Sequence, residues 1–140
     1  MTRDRFDIFS QHCADVGLTV TWRDLGPYRR GQCHGALGEI VLNPRMTLVQ
    51  AASTGIHEFG HWAFGDERST PAAERRAWEY GASLLIEAWE YARAESVVGP
   101  HPNALGAELG VTPRLIEAWR RWWGRQGRAR SLELADLGRE

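Results

Sequence analysis

Thr54-Gly55-Ile56-His57-Glu58-Phe59-Gly60-His61-Trp62 carries two histidines four residues apart, with a glutamate directly after the first. On an α-helix, residues at that spacing lie about 40° apart and one turn up, so both imidazoles can reach a single ion about 2.0–2.1 Å from each nitrogen. Glu58 is rotated about 100° from His57, which takes it off the ion and beside the water that an open coordination position would hold. A catalytic zinc brings such a water to a pKa of about 7, and a neighbouring carboxylate can then take its proton. The chemistry implied is hydrolysis of a peptide bond. A pattern this short arises on solvated helix faces by chance, but the surroundings argue against that here. Val49, Ala52, Ile56, Phe59 and Ala63 form an apolar stripe at helical spacing, and Thr54, His57 and His61 form a second stripe beside it. The histidines therefore border a core.

Working outward, Asn43-Pro44 reads as a helix start, with Asn as N-cap and Pro at the first position, and Gly65 reads as the stop. Thr70-Pro71 repeats the cap-then-proline start for a second helix, predicted to run to about Ala94. A third zinc ligand is expected downstream, and Asp66, Glu67, Glu74 and Glu79 are the candidates. Glu74 heads the stripe Glu74, Ala77, Gly81, Leu84, Leu85 and Ala88, the face that must pack on the core, where a carboxylate needs a partner. Its alternative role is a first-turn acid favoured by the helix dipole. Gly81 in mid-helix costs about 1 kcal/mol relative to alanine, which makes sense where two helices approach closely. Glu67 lies where some zinc proteases place a ligand, but they need a glycine three residues after the second histidine and Phe64 stands there. Glu79 points elsewhere, about 140° round from Glu74. Glu74 is the best-fitting third ligand, with Asp66 and Glu67 as alternatives.

Before the motif, Phe6, Phe9, Cys13 and Val16 mark an amphipathic helix over Arg3 to Val16, with His12 off the stripe and exposed. Leu18 to Trp22 reads as a strand, and Gln32 to Leu37 with Glu39 to Leu42 as a hairpin about Gly38, giving a small antiparallel sheet. After the second helix, Gly99-Pro100-His101-Pro102 breaks the chain. Two short helices follow, Asn103 to Leu109 and Pro113 to Trp123, with weak helical character from Arg128 on. The class expected is α+β: a single domain over residues 1–140, with the zinc-site helices within 1–98 and a helical extension over 99–140.

The 140 residues suffice for one core. A net charge of −1 gives no reason to invoke nucleic acid or an anionic membrane, and neither a signal peptide nor a membrane-spanning run is visible, so a cytoplasmic protein is expected. Cys13 and Cys33 make no disulfide framework and read as small hydrophobes. All seventeen basic residues are arginine. Six of them, Arg114, Arg120, Arg121, Arg125, Arg128 and Arg130, surround Trp119, Trp122 and Trp123. Leu115, Ile116, Trp119 and Trp123 form a packing stripe whose solvated back would hold the arginines, while a surface for a protein partner or for nucleic acid is the alternative. Tyr80, His34 and Tyr28 are open choices for stabilising an oxyanion.

Thr54-x-x-His57-Glu58-x-Gly60-His61, followed by Glu74-x-x-Ala77-x-x-Tyr80-Gly81-x-x-Leu84-Leu85, resembles the ImmA/IrrE family of metallopeptidases over roughly residues 5–120. Two departures are Gly81, where alanine is usual, and Ile86-Glu87, where a proline commonly follows the paired leucines. The resemblance implies a zincin-like domain of minimal gluzincin type, zinc held by His57, His61 and Glu74, and Glu58 as catalytic residue. It also implies a protein substrate, a helix-turn-helix repressor. The competing expectation is a noncatalytic regulatory module that binds protein or DNA through the arginine- and tryptophan-rich end.

Overall fold

The computed structural model describes residues 3–137, with side chains described to residue 128. Among the described residues the chain forms six helices and a three-stranded mixed sheet: α1 (Arg5–Asp15), β1 (Thr19–Trp22), β2 (Gly31–His34), β3 (Glu39–Leu42), α2 (Leu48–Phe64), α3 (Pro71–Leu85), α4 (Ala88–Val98), α5 (Pro102–Leu109) and α6 (Pro113–Leu137). The α+β class is as expected. No helix among the described residues is long and apolar enough to cross a membrane.

The sheet corrects the expectation of an antiparallel arrangement. β2 and β3 do pair antiparallel, with Cys33 opposite Ile40, but β1 lies on the far side of β3 and runs parallel to it, with Val20 opposite Ile40. β3 is thus central, and Ile40, Val41 and Leu42 are all fully buried, as a strand covered on both faces requires. Gly35–Leu37, expected as strand, is a 3-10 turn that ends on Gly38 at φ 61°.

The motif helix starts later than Asn43-Pro44 suggests. Thr47 is the N-cap of α2, exchanging hydrogen bonds with Gln50 in a capping box. Asn43 acts elsewhere. Buried, it donates from its amide to the Gly26 and Arg29 carbonyls and accepts from the Arg45 N–H, pinning the loop before β2. Val49 and Ala63 lie outside the core, which α2 meets through Ala51, Ala52, Ile56 and Phe59. Val16 caps α1 and is 45% exposed, so that helix's apolar stripe ends at Cys13. His12 is half-buried against Phe59.

The second helix does not reach Ala94. It breaks at Ile86, which is buried and extended, and a capping box between Glu87 and Glu90 starts α4. Side chains take the carbonyls the break frees. Arg5 donates to Leu85 O at 2.7 Å, and Trp119 Nε1 donates to Ile86 O at 3.0 Å. Arg5 is itself buried. It reaches the Leu109 carbonyl and pairs with the buried carboxylate of Glu90, which also receives Arg3. One charged cluster therefore ties α1, α3, α4 and α5 together.

α2 and α3 touch backbone to backbone. A β-carbon at Gly60 would lie 2.5 Å from the Ala77 carbonyl oxygen, and one at Gly81 would lie 2.8 Å from that of Ile56. Gly60→Ala is expected to force the helices apart and cost about 1–3 kcal/mol in chemical denaturation. Because Glu74 rides on α3, the same variant is expected to weaken any zinc binding that isothermal titration records for the unaltered chain.

Candidate metal centre

The last two turns of α2 carry His57 and His61, and the first turn of α3 carries Glu74. The close helix contact brings them together. His57 Nε2 lies 2.8 Å from Glu74 Oε2, and His61 Nε2 lies 3.0 Å from Glu74 Oε1. The ring centroids are 4.6 Å apart, and one donor atom from each of the three residues lies within 4.8 Å of the other two. Glu67, exposed, does not join this cluster. Glu79 is buried on the opposite side of α3, ion-paired with Arg121 and Arg125 of α6.

The hydrogen bond behind His61 shows why these residues suit a cation. Asp66 Oδ2 lies 3.0 Å from His61 Nδ1. Burial works to raise the Asp66 carboxyl, but hydrogen bonds from His61 and Arg76 outweigh it and hold it below the usual range, so it is an acceptor. The ring proton is therefore on Nδ1, and in neutral His61 the bare lone pair of Nε2 faces a Glu74 oxygen. Two lone pairs 3.0 Å apart repel unless the ring is protonated or a cation lies between them. His57 is neutral at pH 7, pushed down to about 4 by burial first and by His61 second. Glu74 is held low by Ser69 and both histidines against the opposing effect of burial, and the Ser69 hydroxyl donates to its Oε1 at 2.9 Å. Two imidazole nitrogens and one carboxylate oxygen, with a carboxylate bracing one ring, fit a zinc ion that keeps a coordination position open.

Two parts of this frame escaped the sequence. Asp66, a candidate only for a ligand on sequence grounds, braces His61 from behind and is held in turn by Arg76 at 2.7 Å. The signal was its place just past Gly65, whose left-handed φ of 65° folds the chain back onto the last turn of α2. If the three donors hold zinc, Asp66→Asn is expected to weaken its binding about 10–100-fold in competition with a chromogenic chelator. Trp78, one turn after Glu74, stacks on the His57 ring at 4.1 Å and 10°, and the Arg114 guanidinium sits 4.5 Å above Trp78.

Glu58 stands beside the cluster, its Oε1 3.7 Å from His57 Nδ1. Burial raises its carboxyl above 4.5, with the charge of Glu74 adding to that and His61 and Arg29 opposing it. Beside an ion held by the three donors, a raised carboxyl would be suited to accept a proton and return it. His34 lines the same cleft, its Nε2 2.8 Å from Gln32 Oε1. Tyr28 lies on an adjoining cleft and is 95% exposed, whereas Tyr80 packs on Phe64 and lines neither. Cys13 is buried and its thiol is pushed up to about 12; Cys33, half-buried in the cleft wall, is pushed up to about 11, in both cases chiefly by burial.

Of the C-terminal tryptophans Trp119 is internal, Trp122 half-buried and Trp123 45% exposed. Trp119 is buried and stacks on Tyr91 at 4.2 Å and on Trp123 at 5.4 Å. Arg120 donates to the Tyr91 hydroxyl at 2.6 Å and to the Pro100 carbonyl. Arg130 lies beyond the residues with described side chains. No protein-family model matches the chain, and no curated protein matches it.

Proposed function

We propose that the chain is a zinc-dependent endopeptidase of the ImmA/IrrE type, with a zincin-like core, acting in the cytoplasm on a protein substrate such as a helix-turn-helix repressor. The observation that carries this is the facing of His61 Nε2 and the Glu74 carboxylate while Asp66 takes the other ring nitrogen, an arrangement into which a cation fits when the ring is neutral. Zinc, when bound, supplies a Lewis acid that polarises a carbonyl and lowers the pKa of water. His57, His61 and Glu74 would hold it, Asp66 fixes the tautomer of His61, and Trp78 fixes the plane of His57. Glu58 takes a proton from the attacking water and delivers it to the leaving amine. The choice of a repressor as substrate rests on the family resemblance alone.

Elemental analysis of the purified protein, together with cleavage of a denatured protein substrate, tests the proposal. The expected result is stoichiometric zinc and hydrolysis that stops with a chelator and returns with zinc. A chain that binds no zinc even when it is supplied, or that cleaves equally well in chelator, overturns it. The rival binding module draws little support from α6, where Arg120, Arg121 and Arg125 are engaged with the chain's own groups.

A further inference from the structure

Two clefts meet at His57 and Glu58, and they differ in charge. One, of about 630 Å³, sets Asp66, Glu67 and Glu74 against Arg29 and Arg68. The other, of about 680 Å³, leads towards the start of α6 and holds Arg29, Arg30 and Arg114 with a single carboxylate, that of Glu58. The rest of its lining includes the uncharged Gln50, Ser53 and Thr54. Arg23, Arg45, Arg76, Arg121 and Arg125 each find an acid, but among the described residues none of the three cleft arginines has a carboxylate within 4.0 Å. Arg114 is also held in place, by its stacking on Trp78.

Three cations around one concave site concentrate anions, and the guanidinium fork matches a carboxylate with two parallel hydrogen bonds. Nucleic acid fits less well, because it needs a tract of phosphate contacts. The neighbouring arginines of α6 that would extend such a tract are engaged elsewhere, and the chain's net charge is −1. A peptide lying across His57 and Glu58, by contrast, must enter this cleft with the residues on one side of its cut bond. We propose that the cleft is a subsite for an acidic side chain of the peptide substrate, received by Arg30 and Arg114; this rests on the peptidase proposal and narrows its substrate class.

Fluorescence anisotropy of labelled octapeptides, identical except for a central Glu-Glu, Gln-Gln or Lys-Lys pair, tests the subsite on zinc-loaded Glu58→Gln protein, so that no peptide is cut. The Glu-Glu peptide is expected to bind about tenfold more tightly than the Gln-Gln peptide. Arg30→Gln should shrink that ratio, and Arg30→Glu should remove it or turn it towards Lys-Lys; the Arg30 side chain is exposed at the cleft rim, so both variants keep the fold. Equal binding of the Glu-Glu and Gln-Gln peptides, or a preference unmoved by either Arg30 variant, overturns the subsite. So does an oligothymidylate that binds more tightly than the Glu-Glu peptide. Parallel cleavage by the wild-type chain separates the two proposals: charge preference without hydrolysis refutes only the peptidase, and hydrolysis without charge preference refutes only the subsite.

Discussion

Glu58→Gln is expected to lower peptide turnover by about 10²–10⁴-fold while zinc remains bound at its original stoichiometry. Glutamine keeps the shape and most of the packing of Glu58 but cannot accept a proton, so the loss falls on the transfer step. Because Glu58 is outside the set of converging donor atoms, metal content should not follow activity. The pH dependence has a definite sign. Burial holds the Glu58 carboxyl above 4.5, so wild-type turnover should rise as pH climbs through that raised value and the group ionises. The variant should lack this limb. A variant that cuts as fast as wild type, or one that loses activity only in step with zinc, would remove Glu58 from the role of base.

Glu90→Ala is expected to cost about 3–5 kcal/mol in folding stability, because it leaves a buried arginine without its counter-charge. The Arg5 side chain is only 3% exposed and the Glu90 side chain 5%, so water cannot take over the lost partner. Arg3, 38% exposed at its side chain, is the internal control, and Arg3→Ala should cost no more than about 1 kcal/mol. Burial works to raise the Glu90 carboxyl, but hydrogen bonds from Arg3 and Arg5 outweigh it and bring it down from 4.5 to about 2. A depressed folded-state pKa contributes stability that is complete above the unfolded value and drains away as pH falls from there through the folded one. Acid titration of stability should therefore show a loss between about 4.5 and about 2 that is absent in Glu90→Ala. Guanidinium melts at pH 7 and pH 3 measure both effects, and equal melts for the Glu90 and Arg3 variants would contradict them.

What was legible in the sequence was what helical periodicity encodes. The stripes on either side of the close contact placed His57, His61 and Glu74 on facing surfaces, and Gly81 announced the contact itself, since only a missing side chain lets two backbones come so near. Strand partnership was hidden. The alternation about Gly38 reveals that β2 and β3 pair, but nothing local tells β1 to join the far edge of β3 in the parallel sense. The end of α3 was hidden for a related reason. Ala88 would continue the apolar stripe, but the chain leaves the helix at Ile86, where Arg5 and Trp119, distant in sequence, take the Leu85 and Ile86 carbonyls. The charged cluster at Glu90 was out of reach as well, since its two principal partners lie 85 residues apart and each looks like an ordinary surface residue in its own helix.

α3 is gripped on both flanks, by α2 on the side of Glu74 and by α6 through Glu79 on the other. The carboxylate that completes the centre is therefore stationed partly by a helix that begins only at Pro113 and contributes no donor to it. Loosening α6, whether by a bound molecule or by a proteolytic nick before Pro113, would slacken the hold on Glu74 at the opposite side of the α3 cylinder. A helix late in the sequence thus helps to set where a carboxylate near its middle stands.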